Sequence, residues 1–346
     1  MKKARPHIAL LYAGGTIGSE RDVQSGALRP VDFSRLRTFL PELSTMAMRV
    51  SAYSVRNPKD SSEVTPEDWN ELAGLVASLR ESHDGCVILH GTDTMAYAAS
   101  ALSFMLEGLD RPLIFTGSQL PLNVRRSDGR ENILNALELA ALRKPDGSPV
   151  LSETAILFRN RLLRATRATK ISTAHLDAFE SPNFPDLAEV GVDFHFRSDC
   201  LWQSPVPEFR VHLIDPSVVV GYVTVIPGLR LAALENALRL PALRALVIET
   251  FGAGNMPDIP GLGATLQKAR RQGIVLVNIT SCKRGAVRQE MYQAGRRLAE
   301  AGVLSAADLT REACVAKLYY LLSRYHAPER VEALWSQNLR GELTPA

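Results

Sequence analysis

The chain has 346 residues, 46% of them hydrophobic, enough to bury more than one core, and its length suggests two domains. Lys and Arg number 40 against 37 for Asp and Glu, a net charge of +3 that argues for no nucleic-acid partner, and no stretch approaches the roughly 18 apolar residues of a membrane-spanning helix. The basic start lacks the cleavage site of a secretory leader, and Cys86, Cys200, Cys282 and Cys314 have neither metal-like nor redox-like spacing, so reduced thiols in a cytoplasm are expected.

Residues 7–19, HIALLYAGGTIGS, read as a strand that breaks at Gly14-Gly15 and presents Thr16 before a third glycine, Gly18. Glycine has no Cβ, so the backbone can take φ > 0, expose its N–H groups and admit a ligand to contact distance. Taken alone, such a turn also fits phosphate binding or a simple bend. The glycine spacing is wrong for a dinucleotide fingerprint, the next strand (48–55) carries no acid, and no G-K-[ST] follows to make a Walker loop. SGALRP (25–30) reads either as a lid over Thr16 or as a surface connection.

Thr65-Pro66-Glu67-Asp68 is a helix start, with threonine as N-cap, proline in the first turn and acids near the positive end of the dipole. Trp69, Leu72, Val76 and Leu79 follow at helical spacing. The polar Asp60-Ser61-Ser62 before it is not explained by the helix. A strand at 86–89 then opens into His90-Gly91-Thr92-Asp93-Thr94 and a helix bearing Leu102, Met105 and Leu106, ended by Gly108. A third strand ends in Thr116-Gly117-Ser118-Gln119, and Asp128 is placed to cap the helix ENILNALELAALR. Alternating strands and helices imply a parallel sheet, whose ligand sites lie outside the carboxyl ends of its strands. Three such ends carry small hydroxyl residues, although Asp93 or Thr94 could equally cap the helix that follows. His90 has no second histidine at ligand spacing, so no metal is expected.

TAILFRN (154–160) is another strand, followed by Arg161, Arg164, Arg167 and Lys170 at a regular spacing usual for a solvated face or a phosphate contact. Lys170, just past a strand, could instead reach a strand-end pocket and act as a base. From 194 to 216 the periodicity dissolves into polar residues and prolines. Beyond it VVVGYVTVIPGL, RALVIETFGAGN and GIVLVNITSC alternate with helical stretches. The expected architecture is α/β in two domains: a larger N-terminal parallel-sheet domain over 1–197, a linker over 198–217 and a smaller C-terminal α/β domain over 218–346.

LYAGGTIGS at Thr16, HGTDTMAYAASALSFML at Thr92 and Asp93, FTGSQLP at Ser118, ATKIST at Lys170, DAFESPNFP from Asp177 and SQNLRGELTP near the end together resemble the bacterial-type asparaginase family, particularly its cytoplasmic type I branch. The resemblance spans nearly the whole chain. It implies an amidohydrolase, usually a homotetramer built as a dimer of dimers, that converts L-asparagine and water to L-aspartate and ammonia without a cofactor, some relatives also accepting glutamine. It implies Thr16 as the nucleophile of an acyl-enzyme, and Thr92, Asp93 and Lys170 as the second catalytic group. Asp93 would also hold the substrate's α-ammonium, Asp60, Ser61 and Ser62 its charged ends, and the backbone beside Gly91 and Thr92 the oxyanion. Ser118 would line the substrate site, and Asn255 would complete the active site of a neighbouring subunit. Two departures stand out. The stretch Gly26-Ala27-Leu28-Arg29-Pro30 lacks the tyrosine that several members carry after the nucleophile, and Glu249 replaces an arginine that some relatives place near the cysteine matching Cys282, at an effector site. Regulation by asparagine is therefore expected to be altered. The rival readings are an aminoacyl-tRNA amidotransferase subunit of the same fold and a catalytically silent amino-acid sensor.

Overall fold

The apolar run at the start of the chain forms β1 (His7–Gly14), buried at every position after His7, as befits a strand covered on both faces. The computed structural model describes residues 5–21, 28–30 and 40–345, and divides the chain into two domains, Met1–His212 and Leu213–Ala346. In the first, β1 lies between β2 (Arg49–Lys59) and β3 (Gly85–Leu89), and the sheet continues through β4 (Leu113–Thr116), β5 (Thr154–Phe158), β6 (Arg161–Arg164), β7 (Ala188–Val190) and β8 (Phe194–Phe196). The spatial order is β2-β1-β3-β4-β5-β6-β7-β8. The strands β1 to β5 are mutually parallel, and Leu11 lies opposite Tyr53 on one side and Ile88 on the other. Each of the last three strands is antiparallel to the one before it.

Among the described residues, three helices cover this sheet: α1 (Pro66–Arg80), α2 (Met95–Met105) and α3 (Gly129–Ala141). The start of α1 is as its sequence implies. Thr65 donates to the Asp68 carboxylate from both its N–H (2.7 Å) and its hydroxyl (3.0 Å), closing the first turn, and the helix buries Trp69, Leu72 and Val76. The helix α2 is buried almost throughout. It stops at Met105, short of the expected Leu106, because Leu106 and Glu107 leave it to pair with Arg210 and Val211. Part of the segment read as a linker is thus a short strand of the first domain. Ile8, Leu10, Val87, Leu89, Ile114, Ile133 and Leu137 meet in one core cluster, each such side chain contributing about 1.5–3 kcal/mol by leaving water.

The second domain is a four-stranded parallel sheet in sequence order: β9 (Val219–Thr224), β10 (Leu243–Thr250), β11 (Val275–Thr280) and β12 (Leu304–Ser305). Its helices are α4 (Leu231–Leu238), α5 (Leu262–Arg271), α6 (Gln293–Glu300), α7 (Arg311–Arg324) and α8 (Pro328–Trp335). Glu249, at the end of β10, is buried, accepts the Thr224 hydroxyl at 2.8 Å and pairs with Arg311, so its charge is answered within this domain. Lys317 of α7 has no exposed surface. It donates to the carbonyls of Trp335 and Gln337 (both 2.7 Å) and to Glu342 (2.6 Å), fastening the end of the chain to the helix. Among the described residues no helix is long and apolar enough to cross a membrane.

Candidate active site

The neighbouring strands β2, β1, β3 and β4 run in one direction, so their carboxyl ends share an edge of the sheet, where parallel sheets hold ligands. Each strand leads into a turn bearing residues singled out from the sequence. Gly14, the last residue of β1, and Gly15 after it have φ of +122° and +85°, a conformation that L side chains rarely adopt. A Cβ on Gly15 would fall 2.3 Å from the Gly91 Cα, one on Gly14 would fall 2.0 Å from the Lys59 carbonyl oxygen, and one on Gly91 would fall 2.5 Å from the Ser61 Oγ. The turn after β1 therefore meets the end of β2 and the turn after β3 at bare backbone, and the Gly15 N–H donates to the Lys59 carbonyl at 3.1 Å.

Thr16 opens the short 3-10 turn Thr16–Gly18 and is half-buried. Tyr12 of β1 packs beneath that turn and donates its hydroxyl to the Gly18 carbonyl at 3.1 Å. Burial pushes the Tyr12 phenol up to about 12, which keeps it a neutral donor.

Across the Gly15–Gly91 contact, Lys170 Nζ donates to Thr92 Oγ1 and to Asp93 Oδ1, both at 2.7 Å. Lys170 reaches this point from a two-residue pairing of Thr169–Lys170 with Phe179–Glu180. The lysine side chain is only 16% exposed whereas Asp93 is 61% exposed, so its carboxylate stays open to an incoming cation. Ser61 is fastened to the same turn: its Oγ accepts the Asp93 N–H (3.3 Å) and its carbonyl accepts the Thr94 hydroxyl (2.6 Å). That bond occupies Thr94, which does not use its side chain to cap α2. The Asp60 carboxylate accepts the Ser62 N–H (2.8 Å) and hydroxyl (2.7 Å), and these bonds hold its pKa below the usual carboxylate range. The edge thus combines a hydroxyl on a bare turn, a lysine bridging a hydroxyl and a carboxylate, and a second ionised carboxylate: groups that suit nucleophilic attack on a small charged amide.

Residues 7–201 match the family described as Asparaginase, N-terminal, and residues 219–335 match the Glutaminase/Asparaginase C-terminal domain. The chain belongs to the asparaginase family. It is 43% identical over 350 residues to L-asparaginase 1 of Escherichia coli K12, covering 100% of this chain and 99% of that protein. Among solved structures it resembles L-asparaginase I from Vibrio cholerae (TM-score 0.86, 40% identity, 99% of this chain and 100% of that one). It also resembles the thermostable L-asparaginase from Thermococcus kodakarensis (TM-score 0.88, 31% identity, 98% and 100%). The family resemblance and the two-domain α/β fold expected from the sequence are borne out.

The other residues singled out from the sequence make bonds within their own surroundings. Ser118 is buried and donates its hydroxyl to the Leu120 carbonyl at 2.6 Å, within its own turn. Asp128 is the N-cap residue of α3, but its side chain makes no capping bond: its carboxylate accepts the N–H groups of Gln119 (3.1 Å) and Leu120 (3.2 Å), steadying the turn after β4. Asn255 belongs to the second domain, in a turn closed by backbone bonds with Phe251 at 2.8 and 2.9 Å. His90 Nδ1 lies 2.8 Å from the Gly91 carbonyl, and burial lowers the imidazole pKa. Among the described residues no group of His, Cys, Asp and Glu is arranged to hold a metal.

The regularly spaced arginines form no solvated face. Arg164 is buried against Glu153 (2.7 Å), Arg161 pairs with Asp186 (2.7 Å), and Arg167 is buried with its guanidinium 5.1 Å from the Phe184 ring. Of the stretch read either as a lid over Thr16 or as a surface connection, residues 25–27 lie outside the described residues, and Leu28–Pro30 pairs antiparallel with Ser19–Arg21. Sequence reasoning missed Gln119, whose Oε1 accepts the Thr92 hydroxyl at 3.3 Å. Its place directly after a strand-end serine was the available signal.

Proposed function

We propose that this chain is an L-asparaginase that hydrolyses L-asparagine to L-aspartate and ammonia through a threonine acyl-enzyme. The observation that carries the reading is Lys170, bridging Thr92 and Asp93 beside the Gly15–Gly91 contact that sets the Thr16 turn against the Thr92 turn. Asp93 and Asp60 take the α-ammonium, while Ser61 and Ser62 take the α-carboxylate. Holding both ends of the zwitterion turns its side-chain amide toward Thr16.

Thr16 Oγ attacks the amide carbon and its proton passes toward the Thr92, Lys170 and Asp93 unit. The carbonyl oxygen becomes an oxyanion that accepts from backbone N–H groups beside Gly91 and Thr92, one such donor being worth about 3–4 kcal/mol. The carbon–nitrogen bond breaks, the nitrogen gains a proton and ammonia leaves. Water then attacks the ester, releasing aspartate and restoring Thr16. Protein groups and water suffice for these steps.

Glutamine, longer by one methylene, is turned over as a minor substrate, disfavoured by roughly 10- to 200-fold as one methylene usually is. Ser118 serves the substrate site by shaping the turn after β4. Family membership supports a cytoplasmic homotetramer, a dimer of dimers in which Asn255 completes a neighbouring subunit's site. Ammonia release from L-asparagine and from L-glutamine, measured across a concentration series, tests the reading. Thr16→Ala and Thr92→Ala should each lose about 10⁴-fold or more in kcat. Wild-type-like turnover in either variant would refute the assignment.

A further inference from the structure

We infer that Gln119 is a positioning residue for this reaction: its amide sets the direction of the Thr92 proton and ties Thr92 to the segment that follows Lys170. The inference rests on the reading of Thr92 as part of the catalytic unit. A threonine hydroxyl has one proton to donate and two lone pairs to accept with. Lys170 Nζ is only a donor, so at 2.7 Å it occupies one lone pair of Thr92 Oγ1. The proton must point elsewhere, and Gln119 Oε1 receives it at 3.3 Å.

The amide cannot be reversed without loss. Its Nε2 end faces two backbone carbonyls, of Ser172 (3.4 Å) and His175 (3.1 Å), which accept only, so a flip would set oxygen against oxygen at both. The backbone beneath is equally fixed. The Gln119 N–H meets both oxygens of the buried Asp128, which also accepts from Asn132 Nδ2 at 3.3 Å, and Asn132 Nδ2 donates to the Gly117 carbonyl at 2.9 Å. With its proton on Gln119 and one lone pair on Lys170, Thr92 Oγ1 keeps a single lone pair. It therefore meets a hydroxyl or water entering the site as a hydrogen-bond acceptor, which fixes the direction in which that group's proton points. A threonine free to rotate would spend part of its time presenting its proton instead.

Two variants of the full chain separate this role from a purely structural one. Gln119→Glu keeps an oxygen for the Thr92 proton but loses both donors to the carbonyls of Ser172 and His175, while Gln119→Met keeps the length and loses both functions. Gln119→Met is expected to lower kcat for L-asparagine about tenfold, the loss of one hydrogen bond, with KM little changed. Gln119→Glu should recover kcat as pH falls and its carboxyl gains a proton to offer the Ser172 and His175 carbonyls, and so shift the pH profile, because an ionised carboxylate otherwise faces those carbonyls beside the Thr92 and Lys170 pair. Equal kcat losses in the two variants, or an unimpaired Gln119→Met, would overturn the inference. Should Gln119→Met fail to fold, an unshifted kcat profile in Gln119→Glu would overturn it alone. Thr92→Ala in the same assay distinguishes the two failures: an active Thr92→Ala sinks the catalytic reading itself, whereas an inactive one beside an unimpaired Gln119→Met sinks only the role of Gln119.

Discussion

Replacing Lys317 with methionine tests how the end of the chain is held. The side chain keeps its length, but three bonds of 2.6–2.7 Å vanish, leaving the carbonyls of Trp335 and Gln337 without that donor. Glu342, also with no exposed surface, keeps the N–H groups of Leu339 (3.0 Å) and Arg340 (2.6 Å) but loses its ammonium partner. Removing one partner of a buried ion pair costs about 3–5 kcal/mol. For a domain of this size that is a fall of roughly 10–15 °C in Tm, read by calorimetry on the full chain near pH 7. Burial pulls the Lys317 pKa down, against the opposing pull of Glu342, so holding this ammonium charged is itself costly. Adding Glu342→Gln, which is neutral yet still accepts the two N–H groups, should accordingly restore at least about 1 kcal/mol. A loss below about 1 kcal/mol in Lys317→Met, or a double variant no more stable than the single one, would refute this account.

Other positions give simpler outcomes. Gly74 is exposed within α1 and a Cβ there meets no atom within 4 Å, so Gly74→Ala should stabilise the protein by about 0.5–1 kcal/mol in urea unfolding. Gly15→Ala, by contrast, forces a Cβ onto the Gly91 backbone, and ammonia release should drop at least about a hundredfold, since small misplacements of a reacting group cost that much. His83, whose ring lies 4.0 Å from that of His7, has its pKa lowered below 6.5 by burial and by the nearby His7 and Arg49. The folded chain thus takes up this proton less readily than the unfolded one, so the stability involved is complete above about pH 6.5 and is lost as pH falls below it. The fall in Tm between about pH 7.5 and 5.5 should shrink in His83→Gln, and an identical fall in both proteins would contradict the argument.

Local grammar was the legible part of this sequence. Thr65-Pro66-Glu67-Asp68 started a helix as written, and the strand-end turns at Thr16, Thr92 and Ser118 could be placed along one edge because parallel strands put their carboxyl ends together. Side-chain pairings between distant segments were not legible. Asp128 stood where a helix cap stands, yet its oxygens serve a turn eight or nine residues earlier. Arg164 and Arg167 looked solvated by spacing but are buried beside Glu153 and Phe184, partners that no periodicity announces. Gln119 and Tyr12 reach Thr92 and Gly18 through bonds whose geometry exists only after the sheet has assembled. Periodicity reports which face of an element is apolar, and says nothing of which polar group lies opposite.

The meeting of Gly15 with Gly91 sets a limit on how this scaffold can be altered. Because the two turns approach each other at bare backbone, neither glycine offers a foothold for graded change: a Cβ on Gly15 collides with the Gly91 main chain, and one on Gly91 runs into the Ser61 side chain that ties the second strand-end turn to the third. A search for variants that accept a different amide should therefore leave that seam untouched and vary the rim instead, at Asp60, Ser62 and the open side of Asp93, where room remains for a new side chain.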